Sequence, residues 1–98
     1  MRVIFRRQAV EDIVEAAAWY EARAPGLGDQ LIDEILDATG RAQKNPELFH
    51  VVYREGNIRR VPTNRFPYRI FFSVVDKTLY VHAVLHGARH DRRWTERL

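Results

Sequence analysis

The residues with chemical potential gather towards the C-terminal end of the chain. Arg69, His82, His86 and Arg89 are spaced so that one sheet face could present them together. Metal-free RNA cleavage needs a base for the 2′-hydroxyl, an acid for the leaving oxygen, and cations on the phosphate. Imidazoles and guanidiniums supply those parts. The same residues suit an ordinary exposed sheet face, hydrogen-bonded along its strands, and the residues alone favour that reading. Other chemistries have less material. His86 and His90 are spaced i, i+4, but a strand end falls between them. No carboxylate joins His50, His82, His86 and His90 in a ligand pattern, so no metal is expected. There is no P-loop, no dinucleotide fingerprint and no nucleophile motif around a serine, and no cofactor is expected.

The stretch from Arg65 to Arg89 must position these residues. Tyr68–Val75 and Thr78–Leu85 are β-branched and aromatic runs flanking Asp76-Lys77, the pattern of a β-hairpin. A two-residue turn there sets Val75 opposite Thr78, Val74 opposite Leu79, Phe72 opposite Val81 and Ile70 opposite Ala83. Strand neighbours alternate faces. One face then carries Tyr68, Ile70, Phe72, Val74, Leu79, Val81, Ala83 and Leu85, and must be covered. The other carries Arg69, Phe71, Ser73, Val75, Tyr80, His82, Val84 and His86. A slip of one residue would exchange the two.

The cover comes from upstream. Residues 2–6 alternate as a short strand with Val3 and Phe5 inward, and their basic ends suit a sheet edge. Residues 9–23 read as an amphipathic helix with Val10, Ile13, Val14, Ala17 and either Tyr20 or Glu21 inward, and Glu11 and Asp12 in its first turn. Trp19 falls towards the polar side, as a rim residue or a partner anchor. Ala24-Pro25-Gly26 ends this helix, and residues 27–44 form the next. Leu27, Leu31, Ile35, Ala38 and Ala42 line its core stripe, and Ile32, Leu36 and Thr39 widen it. Asp29, Asp33, Glu34 and Asp37 form a solvated acidic side. The short link makes the helices an antiparallel hairpin, the lid for the apolar sheet face. Residues 45–57 read as a loop with Leu48 and Phe49 tucked inward. Ile58–Pro62 reads as a strand with Arg59 and Arg60 on opposite faces. The expected architecture is a single α+β domain over residues 1–98. It has an N-terminal strand, a two-helix hairpin and a three-stranded antiparallel meander, with the helices packed on one sheet face.

Charge and composition narrow the partners. The chain has 98 residues, 46% of them hydrophobic, enough for a core. It has no cysteine, which suits the cytoplasm, and no apolar run long enough to span a membrane. Residues 1–49 hold 6 Lys+Arg against 9 Asp+Glu, a balance of −3; residues 50–98 hold 10 against 4, a balance of +6. Lys44 and Lys77 apart, every cation is arginine. Guanidinium suits planar anions such as carboxylate and phosphate. The tail beyond His86 adds Arg89, Arg92, Arg93, Trp94 and Arg97, a set that fits nucleic acid or an acidic protein.

The element order, together with WYEARAPGLGDQLIDEI (Trp19–Ile35), NPELFHVVYREGNIRRV (Asn45–Val61) and RFPYRIFFSVVDKTLYVHAVLHGARHDRRW (Arg65–Trp94), resembles the RelE/ParE superfamily of bacterial type II toxins. The resemblance covers nearly the whole chain and is greatest to the ParE branch. It matches the family's Arg-Phe-Pro-Tyr at Arg65, Phe66, Pro67 and Tyr68, and its His-x-x-Arg at His86 and Arg89. It implies a cytoplasmic toxin in a heteromeric complex with a cognate antitoxin, whose acidic, amphipathic C-terminal segment lies across it. It implies DNA gyrase as the target, with no catalysis. The alternative is ribosome-dependent mRNA cleavage by Arg69, His86 and Arg89. Trp94 stands about where such enzymes place a proton-transferring tyrosine or histidine, and an indole cannot serve as that base. A third possibility is an antitoxin-binding remnant without toxicity. The residues expected to meet antitoxin or target are Trp19, Arg59, Arg60, Arg65, Tyr68, Arg69, Phe71, Tyr80, His82, His86, Arg89 and Trp94. A free toxin exposing Phe71, Tyr80 and Val84 should be poorly soluble alone.

Overall fold

Asp76 and Lys77 form the expected two-residue turn, both with left-handed backbone at φ 49° and 59°. Positive φ at both positions is what a type I′ hairpin turn requires. The computed structural model describes residues 1–87. In chain order it has β1 (Arg2–Phe5), α1 (Arg7–Glu21), α2 (Leu27–Lys44), a 3-10 turn (Pro46–Leu48), β2 (Val51–Tyr53), β3 (Ile58–Pro62), β4 (Tyr68–Val75) and β5 (Thr78–His86). The sheet runs β1-β5-β4-β3-β2. β1 lies parallel to β5 at one edge, and the other neighbours are antiparallel. No helix among the described residues is long and apolar enough to cross a membrane.

The α+β architecture and helix hairpin are as the sequence implies, with one strand more. β2 occupies part of the expected 45–57 loop and makes the meander four-stranded. Val51-Val52-Tyr53 is short, but the left-handed Gly56 and Asn57 behind it are a hairpin signal. Phe49 turns inward, its ring 6.2 Å from Phe72, whereas Leu48 is exposed rather than tucked in.

The hairpin register holds as expected only near the turn. Phe72 pairs with Val81, but Phe71 pairs with Ala83, so His82 is an extra residue on β5. This bulge moves Ile70 from Ala83 to Val84. Val84 therefore joins the core under the helices with Ile70, Phe72, Leu79 and Val81. Ala83 and Leu85 pass to the opposite face, where they pack with Ile58 and Phe71. β1 ends opposite Val81, and beyond it the Asp12 carboxylate of α1 accepts the Val84 N–H at 3.0 Å.

The first helix corrects the sequence reading in rotation. α1 starts at Arg7, so Glu11 and Asp12 lie beyond its first turn. It buries Ala9 and Ala16, with Ile13 and Tyr20 packed beside them. Val10 and Val14, expected inward, are 44% and 63% exposed. Small alanines let the helix approach the sheet closely, and the larger valines are left on the flank. α2 follows its predicted stripe, burying Leu31, Ile35, Ala38 and Ala42. Its start is capped from outside. Glu21 accepts the Gly26 N–H at 2.9 Å and the Gly28 N–H at 3.0 Å, and these donors hold its carboxyl below 4.5.

Gly28 and Gly40 predict opposite outcomes for one substitution. A Cβ on Gly28 would stand 2.6 Å from the Ala17 carbonyl oxygen, whereas one on Gly40 would have nothing within 4 Å. In urea denaturation Gly28→Ala should destabilise by about 1–3 kcal/mol. Gly40→Ala should stabilise by about 0.5–1 kcal/mol.

Candidate partner-binding site

Arg65-Phe66-Pro67-Tyr68 links β3 to β4 and is fastened to both helices. Glu34 of α2 is the centre of the fastening. Its Oε1 accepts the Asn64 and Arg65 N–H groups at 3.0 and 2.8 Å, and its Oε2 accepts the Arg65 Nε at 2.8 Å. Far from being solvated with its acidic neighbours, the Glu34 side chain is only 13% exposed. Burial opposes its charge, but the Arg65 guanidinium and the backbone donors outweigh that and hold its carboxyl below 4.5. Phe66 is buried with its ring 5.0 Å from Tyr20, edge to face. Tyr68 meets Tyr20 at 6.2 Å and His86 at 5.4 Å. Thr63 closes the loop, donating its hydroxyl to the Phe66 carbonyl. Arg65 and Tyr68 therefore brace the fold, although Arg65 remains largely exposed.

Register distributes the other expected site residues over two faces. Arg59 lies opposite Phe72 on the helix side, where its Nη1 donates to the Phe49 carbonyl at 2.7 Å. Arg60 lies opposite Phe71 on the open face. Arg69 shares that open face, opposite Leu85. Tyr80 sits there too, half-buried between Ser73 of β4 and Ile4 of β1. His86 pairs with Tyr68 one position further on, so it and Arg69 leave the sheet on opposite sides. The sequence reading had placed them together, and the bulge separates them. Phe71 and Val84 are fully buried, not exposed. Arg89 and Trp94 lie outside the described residues.

His82 is at the bulge. It is buried, and its Nε2 lies 2.8 Å from the Ser73 Oγ. Burial, with Arg6 adding repulsion, holds its pKa below 6.5. The neutral ring is thus the favoured form, tied to a hydroxyl across the strand pair.

The helix hairpin carries exposed apolar residues, and Val10, Val14 and Leu36 among them are ones that periodicity had assigned to the core. Val10 and Val14 project from the N-terminal half of α1. Leu36, 54% exposed, lies in the second half of antiparallel α2, beside that part of α1. Trp19 is 52% exposed and is clasped by its own chain. The Arg23 guanidinium lies 3.5 Å from the indole centroid, and Arg23 Nη1 donates to the Trp19 carbonyl at 3.3 Å. Their signal in the sequence was valine and leucine at helical spacing, which periodicity alone assigns to a core.

The family model for the ParE toxin of the type II toxin–antitoxin system parDE matches residues 3–91. The chain belongs to the ParE toxin family. A solved structure described as the chromosomal ParDE toxin–antitoxin system from P. aeruginosa superposes on this ParE-family chain with a TM-score of 0.77. The two are 17% identical over 88% of this chain and 95% of that one, a likeness of fold. No curated protein matches the chain.

Two measurements test the braces. Glu34→Ala should destabilise this ParE-family protein by about 1–2 kcal/mol, because solvent already weakens the Arg65 partner. A group with a lowered folded pKa contributes stability that is complete above its unfolded pKa and is lost as pH falls. For His82 that loss begins as pH drops through 6.5. Denaturation midpoints at pH 7.5 and 5.5 should therefore fall more for wild type than for His82→Gln.

Proposed function

We propose that this ParE-family protein acts in the bacterial cytoplasm as a toxin that inhibits DNA gyrase, held inactive by a cognate antitoxin. The observation that carries the antitoxin part is the apolar patch of Val10, Val14 and Leu36 across the two helices. A monomeric domain gains nothing by leaving three aliphatic side chains about half in water, whereas an amphipathic segment would bury them. The segment's acidic residues would find the basic half of the chain, with Arg60 and Arg69 on the open sheet face. For the target, the reading rests on the family together with the arrangement of the proton-transfer candidates. Arg69 and His86 face opposite ways, and His82 is buried against Ser73. Among the described residues this arrangement suits a binding toxin better than an mRNA-cleaving one.

Expression in bacteria without an antitoxin should stop growth. Gyrase supercoiling should fall and DNA breaks accumulate while transcripts stay intact. Codon-positioned mRNA cuts with normal supercoiling would instead favour the nuclease, and unaffected growth the non-toxic remnant. With the antitoxin in hand, a Val14→Glu, Leu36→Glu double variant should lose at least about 30-fold in affinity by calorimetry. An unchanged affinity would remove the helix patch from the interface.

A further inference from the structure

The start of α1 holds a concentration of positive charge that no carboxylate among the described residues neutralises. Arg6 is the residue before the helix and Arg7 its first residue. No side chain caps this end, and no acid stands in the first turn. The helix dipole is positive here, so two arginines are the less favourable choice. Among the described residues neither guanidinium has a carboxylate partner. Both line an open cavity of about 410 Å³, together with Gln8 and His82. The His82 ring, hydrogen-bonded to Ser73, forms the wall facing them.

Repulsion among these charges costs stability, and an anion in the cavity would remove the cost. Guanidinium pairs present paired N–H groups that match the oxygens of a tetrahedral anion. The free N–H groups of the first helical turn add donors of the same sign. The volume falls within the range of small-molecule sites, about 300–1,000 Å³, which leaves room beyond the anion itself. Gln8 offers a neutral donor and acceptor to whatever the anion is attached to. An acidic peptide fits less well, because among the described residues the lining has no apolar side chain to anchor one.

We propose that the cavity between the start of α1 and His82 binds the phosphate of a nucleotide, clamped by Arg6 and Arg7. Arg7 stands one helical turn before Val10, so the site adjoins the apolar patch of α1, and the proposal does not depend on the toxin's target. The nucleotide can be free or part of a strand, and the test separates these sources. The amide NMR spectrum of the full chain is followed during additions of inorganic phosphate, adenosine 5′-monophosphate and a short single-stranded oligonucleotide. The expected result is saturable shifts at Arg6, Arg7, Gln8 and His82, with the nucleotide binding more tightly than inorganic phosphate. An R6Q/R7Q double variant should weaken binding about 10-fold or more, while Arg54→Gln, an exposed cation elsewhere, should change it less than about 2-fold. If the mononucleotide binds as well as the oligonucleotide, the ligand is a free nucleotide. If the oligonucleotide binds far more tightly, it is a strand. The double variant should then flatten the dependence of log affinity on log salt by about 1.4, for two phosphate contacts. Shifts confined to other residues, equal affinity for inorganic phosphate, or unchanged binding by a folded double variant would each overturn the proposal. The mapping on wild type decides the matter even if that variant does not fold.

Discussion

One extra residue in β5 determines what each side of the sheet can do. With His82 inserted as an extra residue opposite the Phe71–Phe72 step, every later side chain of β5 changes sides relative to a regular ladder. Val84 turns under the helices, and its N–H meets Asp12. Ala83 and Leu85 turn away and build a second small core with Ile58 and Phe71. His86 turns onto Tyr68 and through it towards Tyr20 and Phe66. A bulge costs ladder regularity, but here it lets one strand serve two cores and attach to α1.

Three carboxylates from the acidic half then hold the elements together. Asp12 ties α1 to β5, Glu21 ties α1 to the start of α2, and Glu34 ties α2 to the β3–β4 link. Each accepts backbone N–H groups that regular structure leaves unpaired, so each contributes where a peptide donor would otherwise rely on water. The segregation of charge along the chain thus has an internal use. Three acids of the helical half serve the fold, while Arg60 and Arg69 of the sheet half lie on the open face.

Much of this was legible from residue pattern. Period-two runs around Asp76-Lys77 located the long hairpin, and the bounds of α2 followed from its stripe and from Asn45-Pro46. Val3 and Phe5 were correctly placed inward, at an edge strand. What failed did so for identifiable reasons. A bulge leaves no mark when every residue around it, from Val81 to Leu85, suits a strand. The rotation of α1 was misjudged because periodicity weighs valine above alanine, whereas close packing on a sheet favours the smaller side chain at Ala9 and Ala16. Glu34 looked like one acid among four, since its partners lie thirty residues downstream in a loop. The candidate site suffered most from the first of these, because grouping Arg69 with His86 required an unbroken alternation.

The parallel pairing of β1 with β5 joins the two ends of the described chain, since Arg2 lies beside Thr78. Such a pair closes the longest loop available to the domain, and its entropy must be met before any contact across it is gained. During synthesis, β1 waits for its neighbour until α1, α2 and β2 to β4 have all been made. Until then the sheet lacks that edge, and Val3 and Phe5 lack the strand beside which they pack. A nascent chain of this protein is therefore an incomplete domain until β5 has emerged to take its place beside β1.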